Sequence, residues 1–396
     1  MKIPYGRQWI TEDDIRAVAD VLRSDRLTQG PEVQAFERAL CDLTGAKHCV
    51  AVANGTMALH LACLALDVGP GDVGVTSPIS FMASANCMAY CGGTPSFADI
   101  DPQTLCLSPD EVEKQCEAGN VPNVVIPVDF AGVPAHLARF HELAERYDFS
   151  LIEDAAHAIG SAYTSNGITY ACGSCAHTDL AILSFHPVKT ITTGEGGAVL
   201  TNQDRLARRL RSFSNHGIEH DKERFKASGA VFSGPAPAWY HEMQALGFNA
   251  RITDLQCALG LSQLNRLEEF KARRQEIVRQ YNKAFQSLEQ EGKVLLPPWP
   301  NDTDPCFHLY TLRVGPESSL RRDELFHRLQ EKGILCQVHY IPIYRQPYYQ
   351  ESYRYDPGSF PQAERYFQSC LSLPLFPGLE DESVRFVSET VISLLG

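Results

Sequence analysis

Lys189 stands where the sequence confines an amine. It closes Ser184-Phe185-His186-Pro187-Val188-Lys189, which follows a short apolar run, and precedes Thr192-Thr193-Gly194-Glu195-Gly196-Gly197, a small-residue loop leading into another such run. A lysine packed at a strand end has a depressed pKa and condenses with carbonyl compounds. A lysine in an exposed Gly-rich turn does neither, and this motif alone would favour that plainer reading. Two other motifs shift the balance. Glu153-Asp154-Ala155-Ala156-His157 puts an acid at the carboxyl end of a predicted strand, where open α/β sheets bind ligands. Asn54-Gly55-Thr56 lies between a predicted strand and a helix, where free backbone N–H groups hold a phosphate. A Gly-Thr helix start is usually only a cap, and a strand-end Asp often only forms a turn. Together, however, a condensing amine, a buried acid that keeps a ring nitrogen protonated and a phosphate cradle are the set that pyridoxal phosphate (PLP) requires.

The elements that must position these residues form a series. Short runs rich in Val, Ile, Leu or Ala at 48–53, 97–100, 124–128, 150–153, 180–185 and 198–201 read as strands covered on both faces. Helical stretches at 56–66, 81–90 and 134–147 alternate with them, so the series is βαβ and its sheet mostly parallel. Thr11 caps a first amphipathic helix. Residues 217–247, with Gly229, Gly234, Pro235 and Pro237, are too long for a plain connector and read as a functional loop. One long helix is expected from Ile252 until Pro297 ends it, followed by strands at 308–314 and 334–340 and helices at 322–333 and 381–395. The expected architecture is an α/β large domain over residues 1–250 and a smaller α+β domain over 251–396.

Composition sets the outer bounds. The chain has 396 residues and a net charge of −13, without a segregated basic patch, so nucleic acid is not an expected partner. The longest charge-free stretch, 73–98, is interrupted by Pro78, Gly92, Gly93 and Pro95 and does not read as a membrane span. The opening Met1-Lys2-Ile3-Pro4-Tyr5 lacks the apolar core of a signal peptide, which makes the cytoplasm the expected location. Thirteen cysteines, an odd number without framework spacing, are expected to be reduced. Cys172-Gly173-Ser174-Cys175 has the gap of a redox dithiol or half a zinc site, but no second pair exists. Inert buried thiols are the expectation, and no metal.

The order of cradle, strand-end acid and lysine resembles the fold-type-I PLP enzymes and, in detail, the DegT-like sugar aminotransferases. The residues that carry the resemblance include Gln29-Gly30, Asn54 to Leu59, Ser80-Phe81-Met82-Ala83, Glu153 to Gly160, Ser184 to Lys189, Gly194 to Gly197 and Gly247-Phe248-Asn249-Ala250-Arg251. His339-Tyr340-Ile341-Pro342-Ile343-Tyr344 extends it into the smaller domain. The resemblance implies that Lys189 links to the cofactor, Asp154 partners its pyridine nitrogen, Phe81 stacks on its face and His157 lies near its ring oxygen. Gly55, Thr56 and Ser184 would hold the phosphate, completed by Asn249 from the partner subunit of a homodimer with shared active sites. Asn249 has a plainer role open to it, capping the helix near Ile252. Gln29, Arg251, His339 and Tyr340 are expected to contact substrate. Relatives that dehydrate sugars replace the lysine with histidine, so Lys189 favours transamination. Within the family the nearest likeness is to the branch serving pseudaminic acid biosynthesis. That implies a UDP-4-keto-6-deoxy-N-acetylhexosamine aminated at C4 with L-glutamate as donor. The alternatives are another 4-keto or 3-keto nucleotide-sugar aminotransferase of the same family and, as the rival within the fold, a PLP-dependent lyase or dehydratase.

Overall fold

The computed structural model describes residues 2–396. Seven strands form the central sheet: β1 (His48–Val52), β2 (Val73–Thr76), β3 (Thr94–Phe97), β4 (Val124–Ile126), β5 (Ser150–Asp154), β6 (Leu180–Ser184) and β7 (Gly197–Thr201). Their order is β1-β7-β6-β5-β4-β2-β3. Only β7 is antiparallel to its neighbours, so the carboxyl ends of the other six strands share one edge. The strands are short and apolar because helices cover both faces, as a parallel sheet requires.

The expected strand at 97–100 lies earlier, at 94–97, and Ile100 makes only an isolated bridge to Leu107. β2 has no counterpart in the sequence reading, since Gly74 interrupts a run of only four residues.

Six helices matter to the site: α1 (Glu12–Arg23), α2 (Pro31–Thr44), α3 (Gly55–Ala65), α4 (Ala83–Tyr90), α5 (Asp254–Leu264) and α6 (Leu267–Gln290). Asn54 caps α3 by accepting from the Met57 N–H at 2.9 Å. The side chains of Ala58, Leu59, Leu61 and Ala62 bury that helix against the sheet. The single long helix expected from Ile252 is two helices. It breaks at Asn265–Arg266, where Arg266 leaves helical backbone and places its guanidinium over Trp9 (4.5 Å) and Phe270 (4.7 Å). Thr253 is the N-cap of α5, in a capping box with Gln256, so Asn249 does not cap it.

Residues 217–247 form a loop closed at its base by Ile218–Glu219 pairing with Glu242–Met243. Beyond α6, a three-stranded antiparallel sheet of β8 (Val294–Leu295), β9 (Tyr310–Val314) and β10 (Cys370–Leu373) packs against α6 and the C-terminal helix Asp381–Leu395 in a second core. Two features cross residue 250. Ile3–Pro4 pairs in parallel with Ile334–Leu335, and α5 packs on α1 and α2. Among the described residues no helix is long and apolar enough to cross a membrane.

Candidate active site

A cavity of about 460 Å³ opens at the carboxyl edge of the sheet, within the range of small-molecule sites. Three strand ends floor it. β1 runs into Asn54-Gly55-Thr56, β5 ends on Asp154 and β6 ends on Ser184, with Lys189 five residues on. This convergence needs close backbone approach. A Cβ on Gly55 would lie 2.9 Å from the Ser184 Cβ, and one on Gly197 would lie 2.5 Å from the Asn54 carbonyl carbon. The two glycines thus let the α3 start sink onto the ends of β6 and β7. With Asn54 Oδ1 engaged by Met57 N–H and Asn54 O by Ala58 N–H, the N–H groups of Gly55 and Thr56 have no partner among the described residues, and both residues line the cavity.

Lys189 is half-buried, and burial brings its amine down to about 8, an effect that the Asp154 carboxylate opposes. Asp154 is buried, which pushes its carboxyl above the usual range. Ser84 Oγ donating to Oδ2 at 2.7 Å, the Ala156 N–H donating to Oδ1 at 3.2 Å and the charge of Lys189 all pull it back. Ser84 belongs to α4 and is itself within 2.7 Å of Ser80 Oγ. Nothing in the small-residue start of α4 signals it beforehand.

His157 lies below the rim. The Ala131 N–H donates to its Nδ1 at 3.3 Å, so the ring proton sits on Nε2, which is 3.3 Å from the Tyr340 hydroxyl. Burial, reinforced by Lys189 and His339, holds this imidazole neutral. His308, its ring centroid 4.4 Å from that of His157, is neutral for the same reason, and its buried Nδ1 has no partner among the described residues. His339 is lowered to about 4 by burial and meets Ser372 Oγ at 2.8 Å. Three neutral imidazoles therefore stand beside Lys189 without adding positive charge. His308 and Tyr5 line the cavity although no local motif marks them.

The sequence-derived residues divide into two groups. Gly55, Thr56, Phe81, Asp154, His157, Ser184, Lys189, His339 and Tyr340 line this cavity, as does His186. Phe81 is 51% exposed at its mouth, its ring 6.5 Å from that of Tyr340. Gln29, Asn249 and Arg251 do not line it. Gln29 is exposed on a turn at φ 53°, beside Gly30, whose N–H donates to Asp254. Asn249 is exposed and bridges Asn215, to which Arg251 donates at 2.5 Å. Residues 217–247 also stay clear of the cavity. All thirteen cysteines are free thiols. Cys172 and Cys175 follow a β-hairpin and no helix succeeds them, so the strand-to-helix setting of a redox dithiol is missing there.

The donor set fits PLP. Uncommitted helix N–H groups and Ser184 suit a phosphate, Asp154 suits a pyridinium, and Lys189 is an amine poised to lose its proton near neutrality.

Comparison with known proteins agrees. Residues 8–392 match the model of the DegT/DnrJ/EryC1/StrS aminotransferase family. The chain is 36% identical over 393 residues to the spore coat polysaccharide biosynthesis protein SpsC of Bacillus subtilis, covering 98% of this chain and 96% of that one. Its structure is similar to PseC of Helicobacter pylori, an aminotransferase involved in the biosynthesis of pseudoaminic acid, with a TM-score of 0.88 at 29% identity over 100% and 99% of the two chains. It is also similar to the putative sugar aminotransferase Spr1654 of Streptococcus pneumoniae in its PLP form, with a TM-score of 0.87 at 27% identity over 100% and 98%. The chain belongs to the DegT/DnrJ/EryC1/StrS aminotransferase family and is a PLP-dependent sugar aminotransferase.

Proposed function

We propose that this enzyme moves the amino group of L-glutamate to C4 of a UDP-linked 4-keto-6-deoxy-N-acetylhexosamine, releasing 2-oxoglutarate and UDP-4-amino-4,6-dideoxy-N-acetyl-β-L-altrosamine. The supporting observation is the likeness to PseC over the whole chain, together with a cavity in which Lys189 and Asp154 meet the neutral His157–Tyr340 wall. Bound PLP supplies an electron-withdrawing ring and a carrier for the amino group between the two substrates. The chain's own residues do the rest. Gly55, Thr56 and Ser184 would hold the phosphate, and Phe81 at the mouth of the cavity would lie against the ring. Asp154 keeps the ring nitrogen protonated, and its bond from Ser84 fixes the carboxylate in place. Lys189, with its amine near 8, takes the proton from the α-carbon of glutamate and later delivers one to C4 of the sugar. His157 donates from Nε2 toward Tyr340, which leaves the tyrosine hydroxyl hydrogen free for a substrate oxygen. His339 completes that wall.

The reading includes a homodimer in the cytoplasm. Asn249 and Arg251 lie outside this chain's own cavity, and in a two-fold dimer they would complete the neighbouring one, with Gln29 as a further substrate contact. We propose 1–250 and 251–396 as the large and small domains.

The 36% identity to SpsC favours a second reading, a different keto sugar destined for a coat polysaccharide. The purified enzyme with glutamate and a panel of UDP- and dTDP-linked 4-keto and 3-keto hexoses separates the two by NMR of the product. Amination of the UDP-4-keto-6-deoxy-N-acetyl sugar at C4 supports the proposal. Turnover of another sugar alone transfers the assignment to that sugar, and glutamate-independent dehydration would make the enzyme a lyase.

A further inference from the structure

Glu153 and Asp154 are consecutive in β5, so their side chains leave opposite faces of the sheet. Asp154 faces the cofactor cavity. Glu153 faces a closed interior on the other side, where it is 1% exposed beside Asp129 (0%) and Cys172 (1%). One ligand-type atom from each of these three lies within 4.8 Å of the other two. The backbone offers the two carboxyls little. Ala135 N–H donates to Asp129 Oδ1 at 2.8 Å and Gly173 N–H to Glu153 Oε1 at 2.9 Å, while Asp129 Oδ2 is buried with no partner among the described residues.

Among the described residues the surroundings supply no cation. The groups facing the pair are Asp154, Cys106, Cys172, Cys175 and Tyr163, every one an acid or neutral. His157 and His308 are hydrogen-bonded to the same turn through Ala131, and burial keeps both neutral. Two ionised carboxylates in such a place would be desolvated, adjacent and uncompensated. One proton between them removes a charge and gives Asp129 Oδ2 its missing partner.

We infer that Asp129 and Glu153 share a proton that stays bound through neutral pH, and that this carboxyl–carboxylate pair is a positioning device for the cofactor pocket. Asp129 opens the turn Phe130–Gly132, which gives the Ala131 N–H to His157 and accepts the His308 N–H at 2.8 Å on the Ala131 carbonyl. The Asp129 N–H is itself donated to the Asp154 carbonyl at 3.1 Å. The proton thus clamps β5 to the turn that holds the His157 imidazole and the His308 backbone. It also keeps a second negative charge from accumulating behind Asp154. Loss of the proton at alkaline pH sets two carboxylates against each other and frees the turn.

The sign follows from linkage. Burial raises both carboxyls above their ordinary values, so the folded chain holds a proton that the unfolded chain has released. The pair's contribution to stability is fully present below the ordinary carboxyl range and is lost as pH rises through the folded values. In Glu153→Gln an amide hydrogen replaces the shared proton, so the cofactor-free protein should lose roughly half of the wild-type fall in Tm between about pH 6 and about pH 9. Glu153→Ala should instead be less stable at every pH. Infrared spectra near neutral pH should show the band of a buried protonated carboxyl in the wild type and not in Glu153→Gln. Asp129→Asn gives the same two readings if Glu153→Gln does not fold. A band that survives both substitutions, an unaltered pH slope, or one equivalent of tightly bound divalent metal in the purified protein would overturn the inference.

Discussion

The floor of the cavity and its far wall are built differently. The floor comes from the ends of strands: Gly55 after β1, Asp154 ending β5, Ser184 ending β6 and Lys189 after it. The wall comes from segments remote in the chain: Tyr5 at the N-terminus, His308 before β9, and His339 and Tyr340 beyond the short strand at Ile334–Leu335. A rigid, hydrogen-bonded edge holds the groups common to all transamination, whereas the wall can change its side chains without disturbing the sheet. Floor substitutions should therefore damage chemistry or cofactor retention, and wall substitutions should alter the response to the sugar.

The largest effect belongs to Lys189→Ala. Turnover should fall by about 10⁴-fold, because proton transfer at both carbons loses its base. Cofactor should remain measurable by equilibrium dialysis through the Gly55, Thr56 and Ser184 contacts. Asp154→Asn should slow the glutamate half-reaction by roughly 10²–10³-fold in single-turnover kinetics, with the ring nitrogen deprived of its charge partner. Unchanged rates there would remove Asp154 from the floor's chemistry.

The comparison sharpens at Asn249, which belongs to neither region of its own chain. Asn249→Asp should weaken cofactor binding about tenfold by placing a carboxylate near the phosphate, a cost of about 1.4 kcal/mol. Mixed with Lys189→Ala, it should regain activity on subunit exchange, since a hybrid dimer holds one site free of both lesions. An active monomer in sedimentation, or no recovery after proven exchange, would confine the site to one chain. Ser84→Ala removes one donor to Asp154 and should cost about 1–2 kcal/mol, read as a several-fold slower half-reaction with glutamate. Tyr340→Phe, which deletes the hydroxyl facing His157, should be the mildest. A few-fold rise in KM for the sugar with an unchanged glutamate half-reaction would place it in the wall, and the reverse pattern would place it in the floor.

The same division explains what could be read from sequence. β1, β5 and β6 begin at their expected residues and end within one residue of expectation, because each is a short apolar run bounded by turn formers. The residues placed on their ends could be recognised because neighbours in space are neighbours in a motif. β2 escaped because Gly74 breaks its apolar run. The gap between α5 and α6 escaped because breaking the backbone at Arg266 leaves the apolar spacing on either side intact, and one partner of Arg266, Trp9, is far away in sequence. Ser84 and His308 carry no local signal. Ser84 is one small residue among several, and His308 meets His157 only once the chain has folded. His339 and Tyr340 entered through family likeness alone.

Chemical trapping tests the account most directly. Borohydride reduction of the PLP-loaded enzyme fixes the cofactor to whichever amine carries it, and peptide mapping then locates that amine. The account predicts a single labelled peptide containing Lys189, with no label when glutamate has first converted the enzyme to its amino form. A label on any other lysine, or on none, would contradict the assignment of the strand-end cavity as the seat of transamination.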